Sequence, residues 1–302
     1  MTIQERLKCV TPALATPLKK DGTFDPEGMT KLVKYVMSKG MTNIFVLGYA
    51  GEVLAFSREE RKAIIKTARE AAGPDALLIA GVMDDSTRLI LQHMEDAKES
   101  GADVALTTPT DFVHCTEAEL ESCFLRLADE AALPFIIYNC PENQHYIDPE
   151  LMNKLLKKDK IVGFKETSNA AKIQQMLLNL DKDSDFIMMS GEEFVYYPAM
   201  ALGVDAFIMG GPGNILPAQS IEIWKDYKAG KHLEARDKYM NMIAFLSELY
   251  FGLPYPTMMP QIKAVLELWG ICGRWMTHPT AAVSDEHMEV IRKLLDKYQI
   301  TP

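Results

Sequence analysis

The sequence predicts an α/β protein, a (β/α)8 TIM barrel with a C-terminal appendage of three helices. The first observation behind this prediction is a regular alternation of short apolar runs with amphipathic stretches. Apolar runs of this length indicate strands that are buried on both faces, and their alternation with helices is typical of a parallel sheet. The second observation is that strand patterns stop near Ile221, beyond which the sequence is helical in pattern. We therefore assign the barrel to residues 1–225 and the C-terminal helical region to residues 226–302.

Eight runs qualify as strands, the number that a closed barrel of alternating strands and helices requires. They are Val10–Ala15, Asn43–Gly48, Leu77–Val82, Val104–Thr108, Phe135–Asn139, Ile161–Lys165, Phe186–Ser190 and Ala206–Gly210. A doubly wound open sheet is the alternative. No G-x-G-x-x-G follows the first strand, which disfavours the dinucleotide-binding version of that fold.

The stretches between the strands carry signals for where helices begin and end. Capping residues followed by acids or proline predict five helix starts, at Asp25-Pro26, Ser57–Glu60, Asp85-Ser86, Thr116–Glu119 and Asp148-Pro149. Three glycines, Gly40, Gly101 and Gly203, stand where helices should end before the next strand. The three C-terminal helices are predicted at Lys231–Leu249, Pro260–Trp269 and Asp285–Lys297.

Composition narrows the possible partners and the compartment. A net charge of −10 without a basic run argues against nucleic acid. Five cysteines, an odd number without framework spacing, are typical of a reduced, cytoplasmic protein. No apolar run reaches the roughly 18 residues that a membrane span needs. The six histidines show no metal-site spacing, and no H-E-x-x-H or C-x-x-C occurs, so we expect neither a metal nor a cofactor.

Lys165 is the most unusual residue of the predicted barrel, because it lies inside the apolar run I-V-G-F-K-E-T-S-N. Lysine is almost never fully buried without a partner or a function. Burial disfavours the ammonium form and leaves an amine that can form a Schiff base with a carbonyl substrate. The alternative is a lysine that reaches solvent from the strand end or pairs with Glu166.

If the fold is a barrel, the chemistry belongs at the C-terminal ends of its strands. Gly48–Glu52, G-Y-A-G-E, follows the second strand, and its glycines would let backbone N–H groups approach a small anion such as a carboxylate. Tyr138 ends the strand before that of Lys165, where a phenol could transfer protons. Glu192 and Glu193 follow the seventh strand and could contact substrate hydroxyls. The alternatives are an ordinary turn, a core tyrosine and favourable charge at a helix start.

Four motifs, in this order, resemble the dihydrodipicolinate synthase and N-acetylneuraminate lyase family of class I aldolases. T-P-A-L-A-T-P-L-K-K-D-G-T-F-D resembles its opening strand and turn, and G-Y-A-G-E its pyruvate-carboxylate loop. Y-N-C-P resembles its fifth strand, and G-F-K-E-T its Schiff-base lysine strand. The resemblance covers nearly the whole chain. It implies a (β/α)8 barrel with a helical C-terminal region and a homotetramer, a dimer of dimers, that takes pyruvate or another 2-keto acid.

The resemblance also implies roles for individual residues. Lys165 would be the imine-forming nucleophile and Tyr138 the general acid or base that orients the substrate. The carboxylate site would comprise Gly48, Tyr49, Ala50 and Gly51. The region from Gly210 to Asn214, with Gly210 and Gly211 at its start, would line the mouth near the keto acid, and Glu192 would contact the distal part of the substrate.

Three segments differ from the family pattern. Tyr49 and Ala50 stand where Ser or Thr is usual, and Pro109–Phe112 lacks the tyrosine that a facing subunit usually supplies. Glu142–His145 contains an acid where dihydrodipicolinate synthases carry an arginine for a second carboxylate. We therefore predict negligible dihydrodipicolinate synthesis.

The predicted activity is a Schiff-base lyase that cleaves or forms a sugar-acid-like 4-hydroxy-2-keto acid, with pyruvate as one product. One alternative is a dehydratase of a 2-keto-3-deoxy sugar acid. Dihydrodipicolinate synthase or sialate lyase proper and a non-catalytic keto-acid sensor also stay open. A barrel enzyme that uses metal or phosphate chemistry is a further class, which the missing ligand clusters disfavour.

Overall fold

A computed structural model describes residues 1–108, 115–140, 146–180 and 186–302, and within them eight parallel strands form one sheet. The strands are β1 (Val10–Pro12), β2 (Asn43–Val46), β3 (Leu77–Gly81), β4 (Val104–Thr107), β5 (Phe135–Asn139), β6 (Ile161–Glu166), β7 (Ile187–Ser190) and β8 (Ala206–Met209). Every strand residue is buried. This burial is why the strands appear in the sequence as apolar runs rather than as alternating patterns.

The order of the strands identifies a barrel. The sheet runs β1-β8-β7-β6-β5-β4-β3-β2, so that its two edges belong to the first two strands of the chain. These edges meet at a single parallel bridge between Ala13 and Phe45. There the Leu14 N–H donates to the Phe45 carbonyl at 2.8 Å. The (β/α)8 prediction is therefore confirmed, and the doubly wound open sheet is wrong.

Seven of the eight strands start at the predicted residue, and β7 starts one residue later, at Ile187 rather than Phe186. Several strands end earlier than predicted. Beyond Pro12, for example, Ala13, Leu14 and Ala15 stay buried although the ladder of β1 has ended. An apolar run records burial rather than pairing, so it continues into the loop where the chain turns over the barrel mouth.

The helices begin and end where their capping signals indicate. Through residue 228 they are α1 (Ile3–Leu7), α2 (Pro26–Ser38), α3 (Arg58–Ala72), α4 (Thr87–Glu99), α5 (Glu117–Glu130), α6 (Pro149–Leu155), α7 (Ala170–Asn179), α8 (Tyr196–Ala201), α9 (Gly211–Ile215) and α10 (Pro217–Lys228). Ser57 with Glu60 and Thr116 with Glu119 form complete capping boxes. Gly40 and Gly101 have φ values of 100° and 98°, which a residue with a Cβ rarely adopts.

Three further helices complete the chain, as predicted: α11 (His232–Phe251), α12 (Met259–Leu268) and α13 (Asp285–Tyr298). Phe245 of α11 and Ile262 of α12 are fully buried in the same hydrophobic core as the barrel helices. The division between residues 225 and 226 falls inside α10, and it stays a prediction. None of the helices in the described part of the chain combines the length and apolar character that crossing a membrane demands.

Candidate active site

A cavity of about 700 Å³ opens at the C-terminal ends of the strands, the face on which we expected the chemistry. It brings together six of the nine predicted site residues: Tyr49, Ala50, Tyr138, Lys165, Glu192 and Gly210. The other three, Gly48, Gly51 and Gly211, are not among the lining residues. The cavity is the candidate active site.

Lys165 reaches the cavity from β6, and only 7% of the residue is exposed to solvent. It pairs in register with Tyr138 of β5, and its Nζ lies 3.8 Å from the centroid of the Tyr138 ring. Glu166, the next residue, accepts a hydrogen bond from Asn139 Nδ2 at 2.8 Å and is fully buried. The Lys165 side chain therefore neither reaches bulk solvent nor pairs with Glu166.

Burial also changes the acidity of the Lys165 amine. Desolvation lowers the pKa of Lys165 to about 8, although Cys140, Glu193 and Glu192 act in the opposite direction. A substantial fraction of the amine is then neutral near pH 7.5, whereas an ordinary lysine with a pKa near 10.4 is almost entirely charged. The site thus holds a nucleophilic amine next to an aromatic face that also accommodates its cationic form.

Gly191, directly after β7, makes room for the lysine. A Cβ at this position would lie 2.3 Å from Lys165 Cε and 2.1 Å from Thr167 Oγ1. Both distances are far below van der Waals contact, so the lysine side chain passes through space that any other residue would occupy. The predicted site did not include Gly191.

The Gly48–Glu52 segment forms a tight turn at the edge of the cavity. The Gly51 N–H donates to the Gly48 carbonyl and the Glu52 N–H to the Tyr49 carbonyl, both at 3.0 Å. Tyr49 and Ala50 lie between Gly48 and Gly51 in the sequence, and their N–H groups donate to no acceptor in the described parts of the chain. Both residues line the cavity. The turn therefore presents two adjacent backbone donors, an arrangement suited to a small anion.

A second polar group lies at the end of β7. Glu192 lines the cavity, as predicted, but the buried carboxyl is that of Glu193, which is 4% exposed. Tyr250 of α11 donates its hydroxyl to Glu193 Oε1 at 3.2 Å, and both residues line the cavity. Desolvation, followed by the charge of Glu192, raises the pKa of Glu193 to about 7. Gly211 lies beneath this pair, since a Cβ there would overlap the Tyr250 hydroxyl.

The predicted site did not include Thr167 or Tyr250, and of the two acids after β7, both considered as contacts for substrate hydroxyls, it included only Glu192. The period of two along β6 places Thr167 on the same side as Lys165, so this signal was available. Nothing local distinguishes Glu193 from Glu192, and Tyr250 lies in a helix far along the chain. The segments Pro109–Phe112 and Glu142–His145, on which we based two departures from the family pattern, lie outside the described residues. Within the described residues, no three His, Cys, Asp or Glu side chains are grouped as a metal site would require.

Comparison with known proteins agrees with this geometry. The dihydrodipicolinate synthetase family matches residues 6–298. The chain belongs to this family. The 4-hydroxy-tetrahydrodipicolinate synthase of Ruegeria pomeroyi is 30% identical over 283 residues, covering 91% of this chain and 92% of the relative. Members of the dihydrodipicolinate synthetase family are class I aldolases and lyases, and this protein is an enzyme of that class.

Two solved structures of the family have the same fold as this chain. The dihydrodipicolinate synthase of Aquifex aeolicus is 28% identical with a TM-score of 0.87, covering 97% of this chain and 98% of the other. The chloride-inhibited enzyme of Acinetobacter baumannii, complexed with pyruvate, is 25% identical with a TM-score of 0.88, covering 98% and 100%. The predicted tetramer stays a prediction.

Proposed function

We propose that this family member is a Schiff-base lyase that cleaves or forms a 4-hydroxy-2-keto acid, with pyruvate as one product. The observation that carries the proposal is the buried amine of Lys165, which has a lowered pKa and faces a cavity large enough for a small substrate. A lysine with these properties is suited to attack a ketone and poorly suited to a purely structural role.

The chemistry follows from the properties of an imine. The neutral amine adds to the C2 ketone and water leaves, which gives an iminium ion at Lys165. Loss of the C4 hydroxyl proton to a base lets the C3–C4 bond break, and its electron pair forms an enamine with the iminium nitrogen as electron sink. An aldehyde departs, C3 is protonated, and hydrolysis returns pyruvate and the free amine. Tyr138, whose ring lies 3.8 Å from the amine, is the proposed acid or base.

The substrate carboxylate is assigned to the turn at Tyr49 and Ala50. Their two N–H groups, which have no acceptor among the described residues, provide donors without bringing a second cation beside Lys165. A nearby ammonium or guanidinium would lower the lysine pKa further and would compete for the carboxylate.

The charge distribution of the cavity favours a neutral, hydroxylated partner. Among the described residues that line the cavity, Lys165 is the only cation, while Glu192 and Glu193 are acids. A second carboxylate on the substrate, as in aspartate semialdehyde, would lie near these acids, and the described lining offers no further cation to compensate its charge. A sugar-derived hydroxyaldehyde can instead donate hydroxyl hydrogen bonds to them. The reaction in the name of the Ruegeria pomeroyi relative is therefore disfavoured for this chain.

Borohydride reduction in the presence of pyruvate tests the proposal. The expected product is a single reduced pyruvyl adduct on the peptide that contains Lys165, together with pyruvate release from a member of a 2-keto-3-deoxy sugar acid panel. Lys165→Ala should abolish both signals. Lys172→Ala is the matched control, because Lys172 also lies over a tyrosine ring, Tyr146 at 4.0 Å, but does not line the cavity. An adduct on another lysine would refute the assignment.

A further inference from the structure

A second buried lysine, Lys263 on α12, links the C-terminal region to the cavity turn. No part of its side chain is exposed, and its Nζ lies 2.5 Å from Glu52 Oε1 and 2.8 Å from the Trp275 carbonyl. The other carboxylate oxygen of Glu52 accepts hydrogen bonds from Thr277, from N–H at 2.8 Å and from the hydroxyl at 2.6 Å. Both oxygens of Glu52 are thus held by residues more than 200 positions away along the chain.

Stability alone is a weak explanation for such a pair. The desolvation of two buried charges commonly offsets their attraction, and an apolar pair of similar volume is often at least as stable. The best-attested use of a buried ion pair is to fix one arrangement of the chain among several. The relevant question is therefore which arrangement Glu52 fixes.

Glu52 is the last residue of the turn that brings Tyr49 and Ala50 to the cavity. It has a φ of 56°, and Leu47, just before the turn, has a φ of 57°. Neither residue is glycine, so both left-handed conformations are unfavourable and persist only where surrounding contacts impose them. At the front of the turn, Gly81 has no Cβ and so admits the Leu47 carbonyl, which a Cβ would meet at 1.7 Å. At its end, the hydrogen bonds of Glu52 to Lys263 and Thr277 impose the conformation.

We propose that the Lys263–Glu52 pair is a positioning device that holds the N–H groups of Tyr49 and Ala50 in place to bind the substrate carboxylate. The inference rests on the proposed function, since it takes that turn to be the carboxylate site. Lys263 and Glu52 do not touch the substrate, and they act through the backbone between Gly48 and Glu52. The C-terminal region is accordingly required for substrate binding as well as for packing.

The test compares two ketones that differ only in the carboxylate, pyruvate and methyl pyruvate. Each is titrated against the rate of reductive trapping at Lys165 in the wild type, in Lys263→Met, in Glu52→Gln and in the double variant. We expect the concentration of pyruvate for half-maximal trapping to rise at least 10-fold in all three variants. The value for methyl pyruvate should stay within twofold of the wild type.

Two further variants keep the test decisive. Thr277→Val removes one hydrogen bond to Glu52 without leaving a buried charge unpaired, and it should raise the pyruvate value at least threefold even if the charge variants do not fold. Glu248→Gln with Lys297→Met is the matched control, since this exposed pair joins α11 to α13 away from the cavity, and it should change neither value.

The possible failures are distinguishable. If the variants raise both values equally, or neither, the pair does not position the carboxylate site and the inference is wrong. If the wild type does not discriminate between the ketones, the imine stands but the turn is not a carboxylate site, which also overturns the inference. If the wild type traps neither ketone at Lys165, the proposed function itself is wrong.

Discussion

Gly191→Ala should slow the reaction at Lys165 strongly while leaving the fold nearly unchanged. The added methyl group would lie 2.3 Å from Lys165 Cε, whereas carbon atoms in contact prefer a separation of about 3.5 Å or more, so the lysine must move by roughly 1 Å. The Lys165 side chain is flexible and can make this movement at little cost in stability. A displacement of this size at a reacting atom typically reduces the rate by roughly 10²-fold.

The assay is the rate of reductive trapping of pyruvate at Lys165, measured alongside thermal unfolding. We expect Gly191→Ala to trap pyruvate about 100-fold more slowly, with a melting temperature close to that of the wild type. Gly73→Ala is the matched control, because no atom lies within 4 Å of its added methyl group and its φ is 78°. This variant should lose stability through backbone strain and should trap pyruvate at the normal rate.

Gly191→Ala should therefore lose reactivity and keep its stability, whereas Gly73→Ala should lose stability and keep its reactivity. Normal trapping by a folded Gly191→Ala protein would mean that the amine reacts from another position than the one seen here. If trapping were lost only because the protein unfolds, Gly191 would contribute to stability and not to the position of the Lys165 amine.

Three other predictions follow from the site. Tyr138→Phe should lower kcat by about 10²–10⁴-fold with little loss of stability, and near-normal turnover would make Tyr138 a core residue. Because Lys165 must lose its proton before it attacks, and its pKa is about 8, the trapping rate should rise with pH and level off above about pH 8. A rate still rising at pH 10 would contradict the lowered pKa. Finally, pyruvate with aspartate semialdehyde should condense at least 10-fold less efficiently than in a true synthase. The segment Glu142–His145 has no arginine to pair with a second carboxylate, and a charge-assisted hydrogen bond of that kind is worth about 1.5–3 kcal/mol. A coupled assay with dihydrodipicolinate reductase measures this directly, and ordinary turnover would refute it.

The barrel could be predicted from the sequence because its signals are local. Each strand is buried on both faces and is therefore a short apolar run, and each capping box lies within four residues, as at Ser57 and Glu60. Lys165 was predictable for the same reason, since a lysine in such a run is unusual in itself.

The polar group of Glu192, Glu193 and Tyr250 in the cavity was harder to predict because its contacts are not local. Tyr250 and Glu193 are 57 residues apart along the chain, and their hydrogen bond forms only because the fold brings α11 to the end of β7. Two adjacent acids after a strand also appear equivalent in sequence. The short 3-10 turn that begins at Glu193 buries that side chain and leaves Glu192 only half-buried. No neighbouring residue in the sequence predicts which of the two acids is buried.

Lys263 carried the same local signal as Lys165, yet only the structure distinguishes the two. Both lysines lie among apolar residues, and burial lowers the pKa of each. Lys263 contacts a carboxylate directly, so its ammonium form is stabilised and it cannot readily act as a nucleophile. Lys165 forms no salt bridge within the described residues, and the face of the Tyr138 ring lies beside its amine. A buried lysine with a counter-ion fixes a conformation, whereas one without a counter-ion can lose its proton and react.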